Sequence, residues 1–452
     1  MNENKIPQQW VKTTLGHIVD YGRSAKKTLV DVNDNTWVLE LEDIEKDSSK
    51  LLSKVKASDR KFKSTKNIFH QGDVLYGKLR PYLNKVIMAD EDGVCTTEII
   101  PINAEPFCIN RYFFFWLKNP IFLRYVREVS YGVNMPRLGT NDGKSAPFYL
   151  APLAEQKIIT DKLDDLLARV ESIKTRLENI PDILKKFRTS VLNSAVSYVD
   201  ENKPSSKKKL SEICRFQNGY AFKSDFFSKD GVHQVIKLAN IRDGYLFLEN
   251  SPSYISPAVF NEFKRYVPDE GDILISMTGT RLKKDYGFAC IIMESDNSFL
   301  INQRVGRITP LKDIVSPKFL YLFIRSDLFR SEFFKGETGG VNQGNVGSKH
   351  IMSIEINLPT LDEQEKIAHQ LDNIFSYANA LEKKITSSLL KVNNLTQSIL
   401  AKAFRGELTA QWREENLELI SGVNSAEALL QKISTEKLAS GVTKKRVKKL
   451  AC

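Results

Sequence analysis

Leu150-Ala151-Pro152-Leu153-Ala154-Glu155-Gln156-Lys157-Ile158 returns as Leu358-Pro359-Thr360-Leu361-Asp362-Glu363-Gln364-Glu365-Lys366, with each matched residue 208 positions further on. The register holds on both sides of this stretch. Upstream, Gly132-Val133-Asn134 recurs as Gly340-Val341-Asn342 and Gly139 as Gly347. Downstream, Leu163-Asp164 recurs as Leu371-Asp372, and Ser190, Leu192 and Ala195 as Ser398, Leu400 and Ala403. An internal repeat constrains architecture before any single residue is interpreted. A period this long gives each copy room for a whole domain, so the chain reads as two related modules fused in tandem.

Further out, framework pieces pair up in the same order. Leu15-Gly16-His17-Ile18 answers Leu210-Ser211-Glu212-Ile213, Gly72-Asp73-Val74-Leu75 answers Gly271-Asp272-Ile273-Leu274, and Tyr112-Phe113-Phe114 answers Tyr321-Leu322-Phe323. Short apolar runs bounded by Gly, Asp and Asn, such as Val74-Leu75-Tyr76, Lys85-Val86-Ile87-Met88 and Ile99-Ile100, predict strands. One helix is predicted from about Arg111 to Val129. Between the framework pieces the two blocks diverge, so a common scaffold carries two different surfaces.

Each block is followed by a regular apolar seam. In the first, Leu163, Leu166, Val170, Ile173, Leu177, Ile180, Leu184, Phe187 and Val191 alternate spacings of three and four, the heptad pattern of a coiled coil. In the second, Leu371, Ile374, Ala378, Leu381, Ile385, Ser388, Val392, Leu395 and Ile399 hold the equivalent places, with Ser388 the polar interruption. The seam keeps its phase across Pro181, which predicts a bend there and not an end. Two matched narrow stripes are best buried against each other. The linker from Val199 to Lys209 is short, so the second block starts at the far end of the first helix and the second helix must return antiparallel.

The predicted class is therefore α+β: two duplicated α/β domains separated by two long helices that form an antiparallel coiled coil, with an approximate two-fold relation. About 30 helical residues at ~1.5 Å each span roughly 45 Å, a little more than one turn of B-DNA at ~34–36 Å. The expected boundaries are 1–150 for the first domain, 151–200 for its helix, 201–358 for the second domain, 359–410 for its helix and 411–452 for a tail.

Lys and Arg outnumber Asp and Glu by 66 to 55, a net charge of +11 that favours a polyanionic partner. Five cysteines, at 95, 108, 214, 290 and 452, show no Cys-x-x-Cys spacing, which argues against a disulfide framework or thiolate zinc site and for a reducing cytoplasm. The start, Met1-Asn2-Glu3-Asn4-Lys5, lacks a signal peptide's apolar core, and the run Phe113-Phe114-Phe115-Trp116-Leu117 is too short to span a bilayer. A membrane partner is not expected.

The segments Leu153-Ala154-Glu155-Gln156-Lys157-Ile158 and Phe187-Arg188-Thr189-Ser190-Val191-Leu192, the long seam, and the second copy from Leu361 through Ser398-Ile399-Leu400-Ala401-Lys402-Ala403-Phe404-Arg405-Gly406-Glu407-Leu408-Thr409 resemble the specificity subunit of Type I restriction-modification enzymes. The resemblance covers nearly the whole chain. It implies two target recognition domains, each reading one half of a bipartite double-stranded DNA site, with the helices as spacers. It also implies docking of two modification (methyltransferase) subunits that use S-adenosylmethionine, and of restriction subunits that use ATP and Mg2+. No cofactor is implied on this chain itself. The first copy departs from the fuller ending, with Ala195-Val196-Ser197-Tyr198 standing where the second has Ala403-Phe404-Arg405-Gly406.

DNA affinity comes largely from Lys and Arg on phosphates, and specificity from polar side chains on base edges. In the first domain the candidates are Lys54, Lys56, Arg60, Lys61, Lys63 and Lys66, then Lys78, Arg80, Tyr82, Asn84 and Lys85. In the second, Thr278, Thr280, Arg281, Lys283 and Lys284 come after the repeated Gly-Asp strand at the place held by Gly77-Lys78-Leu79-Arg80. A loop that is basic twice but different in sequence is where base readout is expected, although any basic loop can equally be a solvated face. Asn302-Gln303-Arg304, Lys223, Lys237 and Arg242 are weaker candidates, Tyr220 and Phe222 read as core, and the basic tail, Lys432 through Lys437, Lys444-Lys445-Arg446 and Lys448-Lys449, reads as a frayed terminus.

Catalytic motifs are missing. Gly139-Thr140-Asn141-Asp142-Gly143-Lys144-Ser145 has three intervening residues where a P-loop needs four, and Gly347-Ser348-Lys349-His350 lacks the Gly-Lys pair. Asp269 with Glu294 and Asp296 lacks the lysine of a metal-dependent nuclease, and five histidines offer no paired metal spacing. A non-catalytic DNA reader is the leading expectation. A coiled-coil scaffold for protein assembly is the alternative, and an enzyme with an unfamiliar active site stands third.

Overall fold

The repeat in the letters is also a repeat of hydrogen bonds. The computed structural model describes residues 6–28, 31–132, 134–197, 205–293, 299–340 and 342–439, which fall into two units: 1–177 with 387–452, and 178–386. Val133, Val341, Glu294, Asp296, the linker up to Pro204 and the basic run from Lys444 lie outside the described residues.

In the first unit, strand Val11–Thr14 pairs antiparallel with Pro147–Leu150, the strand that leads into the repeated Glu-Gln stretch. Trp37–Leu39 runs parallel to Gly93–Cys95 in a four-stranded sheet, and Val74–Gly77 lies between Val86–Met88 and Ile99–Ile102 in a three-stranded one. The predicted single helix is two, Asn110–Leu117 and Pro120–Val129. Pro120 cannot donate to the preceding turn, and the Asn119 side chain accepts from the Ile121 amide at 2.7 Å, capping the new helix. The core is aromatic: Tyr76, Tyr112, Phe113, Trp116, Phe122 and Phe148 are buried together with Leu163, Leu400 and Phe404 of the long helices.

The second unit repeats this plan. Ser205–Lys209 pairs with Glu355–Pro359, His233–Ile236 runs parallel to Phe299–Ile301, and Ile273–Ser276 pairs with both Ala289–Ile291 and Val305–Pro310. Helices Pro317–Arg325 and Asp327–Lys335 come next in the chain. The repeated letters do identical work. Gln156 accepts from the Ile109 amide at 2.9 Å and donates to Ala151 O; Gln364 accepts from the Ser316 amide at 2.8 Å and donates to Pro359 O. Each glutamine thus ties the start of a long helix to the residue that caps the aromatic helix. Two turns on, Asp164 pairs with Arg111 and Asp372 with Lys318, both at the second position of that aromatic helix.

The long helices are Leu153–Ser197 and Leu361–Phe404, 45 and 44 residues against the roughly 30 expected. The first continues through exposed Pro181. Within the first unit the Lys162 ammonium donates to Leu408 O at 2.8 Å, and Leu167, Val170 and Lys174 face Val392, Thr396 and Gln397 across a shared cavity. Within the second, Arg188 bonds Glu382 and Asn379 at 2.7 Å each, and Leu192 and Val196 share a core with Leu371. In both, rising numbers on one helix meet falling numbers on the other, so the pairing is antiparallel.

Burial corrects the seam. Leu163, Val170 and Leu184 are buried on the first helix, and Leu371, Ala378, Ile385 and Val392 on the second, while Leu177 and Ile399 are half-buried. The intervening row is more open: Leu166, Ile180, Ile374, Leu381 and Ser388 are half-buried, and Ile173, Phe187 and Leu395 are exposed, while Val191 continues the first row half-buried. Two helices can cover one row from both sides but leave the second on the flank.

The chain beyond the second long helix also belongs to the first unit. Helix Ala426–Ala439 packs on Leu15–Ile18, so Lys432 through Lys437 are not the frayed end expected: Ile433 is buried and the Lys437 ammonium donates to Gly16 O at 3.0 Å. The Glu155 carboxylate, without exposed surface, accepts from Trp10 Nε1 at 2.8 Å, Thr409 Oγ1 at 2.6 Å, and Arg413 Nε and Nη2 at 3.0 and 2.7 Å.

Candidate nucleic-acid interface

In each unit the Gly-Asp turn is built the same way. Asp73 accepts from the His70 amide at 2.9 Å and Asp272 from the Asp269 amide at 2.8 Å, which fixes the entry of the next strand. That strand leads into the loop where base readout was expected, residues 78–85 in the first unit and 277–288 in the second.

The first loop is held by its backbone. Lys78 N donates to Glu98 O, Leu138 N to Lys78 O, and Arg80 N to Pro136 O at 2.7 Å. Arg80 and Asn84 adopt left-handed conformations, at φ 47 and 48°, on either side of the turn Pro81–Leu83. This arrangement sorts the candidates. Arg80 and Tyr82 point into solvent, Lys78 is half-buried, Asn84 is buried, and the Lys85 ammonium donates to Leu41 O at 2.7 Å. Among the earlier run, Lys56, Lys61 and Lys63 are exposed. Arg60 turns inward to Asp43 and Val38 O, Lys66 is buried against Glu40, and Lys54 pairs with Asp90 and Glu91 over the Trp37 ring. Burial would raise the Asp43 carboxyl, but hydrogen bonds from Arg60, Ser53 and the Glu40 amide together hold it below the usual carboxylate range.

The second loop begins as strand Thr278–Thr280, paired with Gln343–Val346. Thr278 is buried in that ladder and Thr280 half-buried; the Thr280 amide and hydroxyl both donate to Asp285, at 2.6 and 3.2 Å. Arg281, Lys283 and Lys284 are exposed, with Arg281 paired to Glu337 and the Lys284 ammonium 4.9 Å from the Phe334 ring centre. Of the weaker candidates, Gln303, Arg304 and Lys223 are exposed; Phe222 lies in the core with Tyr220 packed against it.

One neighbour escaped notice in the sequence. In the first unit Leu79 bridges Arg137, and in the second the strand Gln343–Val346 flanks Thr278–Thr280, so residues shortly after the repeated Gly-Val-Asn lie beside the variable loop in both. Its recurrence amid divergent sequence was the available signal. Gly139-Thr140 opens a six-residue helix, Thr140–Ser145, which ends in the strand Pro147–Leu150. Among the described residues no cluster of three or more His, Cys, Asp or Glu could hold a metal ion, and no helix is long and apolar enough to cross a membrane.

Comparison with known proteins agrees with this duplicated plan. Residues 7–182 and 202–391 match the Type I restriction modification DNA specificity domain. The specificity subunit of the Type I restriction enzyme EcoBI from Escherichia coli is 36% identical over 390 residues, covering 81% of this chain and 80% of the relative. The chain belongs to the Type I restriction enzyme specificity subunits. A second member, the EcoKI subunit of Escherichia coli strain K12, is 37% identical over 356 residues, covering 74% of this chain and 73% of that one. Among solved structures, the HsdS subunit from Thermoanaerobacter tengcongensis shares the fold, with TM-score 0.61 at 19% identity over 90% of this chain and 99% of that one. As a specificity subunit, the chain carries its two DNA specificity domains in tandem, one scaffold displaying two unlike loops.

Proposed function

We propose that the chain reads a split double-stranded DNA target, with one half-site for each duplicated domain, and carries out no chemistry itself. The observation that carries this reading is the basic loop at one scaffold position in both domains, built on the same Gly-Asp turn but different in sequence and side chains. Exposed Lys61, Lys63, Arg80, Arg281, Lys283 and Lys284 are suited to phosphates and base edges. In this reading two modification subunits bring S-adenosylmethionine, restriction subunits bring ATP and Mg2+, and the assembly works in the cytoplasm. Among the described residues four cysteines are buried and free, with thiol pKa values raised by burial, which fits a reducing compartment.

The test is to co-express the chain with its methyltransferase subunits and map the methylated bases. A discontinuous motif with an unread gap of fixed length is expected. Methylation without sequence preference would refute the proposal.

A further inference from the structure

Both variable loops end in a side chain that their charge does not explain. In the second unit Leu282 is 93% exposed, between Arg281 and Lys283. In the first, Tyr82 is 48% exposed, two residues after exposed Arg80. A single exposed apolar residue is ordinary on any surface. The matched placement is not. Each stands two positions before a residue held left-handed, Asn84 and Lys284, both at φ 48°. Asparagine enters that conformation readily, but a lysine does so rarely and needs surroundings that hold it there.

The loops are stiff at the base and bare at the tip. In the second, Thr280 is fixed to Asp285, the Lys284 amide donates to Thr280 O at 2.9 Å, and Arg330 donates to Lys284 O at 3.3 Å. In the first, Pro81 sets the turn and Asn84 N closes it on Pro81 O at 3.0 Å. A rigid basic loop that keeps an apolar tip in water has no use for it within its own unit.

We infer that Tyr82 and Leu282 are wedges, each entering a base step of its half-site while the flanking cations hold the phosphates. This rests on the DNA-reading role proposed above and adds a second mode of discrimination to it. Inserting an apolar side chain unstacks a step and kinks the duplex. The gain from burying a leucine is comparable with that cost. The wedge therefore changes affinity little but favours steps that unstack easily, such as pyrimidine–purine steps.

The test uses the full chain with its modification subunits and duplexes carrying 2-aminopurine at successive positions of the mapped target. Wild type should give a fluorescence rise at one step in each half-site, away from the methylated base, which the modification subunits themselves unstack. Leu282→Ala should abolish the rise in one half-site and Tyr82→Ala in the other, while Leu282→Phe retains it. Both sites are solvent-facing, so thermal midpoints of the variants should match wild type. Sequence-specific binding with no rise in wild type, or with the rise intact in both alanine variants, overturns the wedge and leaves base reading standing. Binding without sequence preference refutes the DNA-reading role and the wedge with it.

Discussion

At the scale of single residues, Glu155 and Lys118 make opposite demands on stability. Glu155 is a buried charge fully met by Trp10, Thr409 and Arg413. Removing one partner of such a pair strands the other, so Glu155→Gln is expected to cost about 3–5 kcal/mol in urea unfolding of the first unit. Lys118 is buried with its ammonium on the Ser49 hydroxyl and over the Phe114 ring, and among the described residues no carboxylate lies within ion-pair distance of it. Burial, aided by the Arg111 charge, lowers its pKa to about 8. Below pH 8 the folded chain bears the whole cost of that buried cation, on the order of 3 kcal/mol against an unfolded value of ~10.4. Between pH 8 and ~10.4 the unfolded state binds the extra proton, so this contribution to stability improves as pH rises. Lys118→Met is therefore expected to unfold at higher denaturant than wild type at pH 7, with the difference fading by about pH 10.5. The letters could not separate Lys61 and Lys63 from Arg60 and Lys66. The fates of Arg60 and Lys66 depend on Asp43 and Glu40, 17 and 26 residues away in the chain and brought close only by the fold.

At the scale of elements, the repeat made the scaffold legible because each recurring letter has a structural task. The Gln156 and Gln364 ties and the Asp164 and Asp372 pairs recur because the same helix start must dock on the same aromatic helix twice. Heptad spacing likewise revealed the paired helices, but it could not rank their rows, since spacing says which residues share a face and nothing of how deeply the partner covers it. The structure ranks them. Ile385→Ala, in the buried row, is expected to lose about 2–4 kcal/mol, whereas Phe187→Ala, on the open flank, should stay within ~0.5 kcal/mol. Comparable losses at both sites in chemical denaturation would mean that the flank is covered in the free chain. The break at Asn119-Pro120 was legible but outweighed by the apolar run across it; a capping side chain with proline directly after it marks a helix start.

At the scale of the molecule, each DNA specificity domain can be expected to act on its own half-site. Exchanging residues 1–150 for those of another family member should change one half of the methylated motif and leave the other intact. Removing one heptad from both long helices is expected to narrow the unread gap, and an unchanged gap would show that helix length does not set it. The target itself was not legible, because a base contact depends on side-chain placement at loop tips that no periodicity governs. The clamp on Glu155 has one more consequence, for synthesis. The opening segment leaves the ribosome hundreds of residues before Phe404 and Arg413, so Trp10, Tyr112 and Trp116 must wait for the lid those residues form. A product terminated before Phe404 leaves that aromatic cluster uncovered and is expected to be cut faster than the full chain in limited proteolysis.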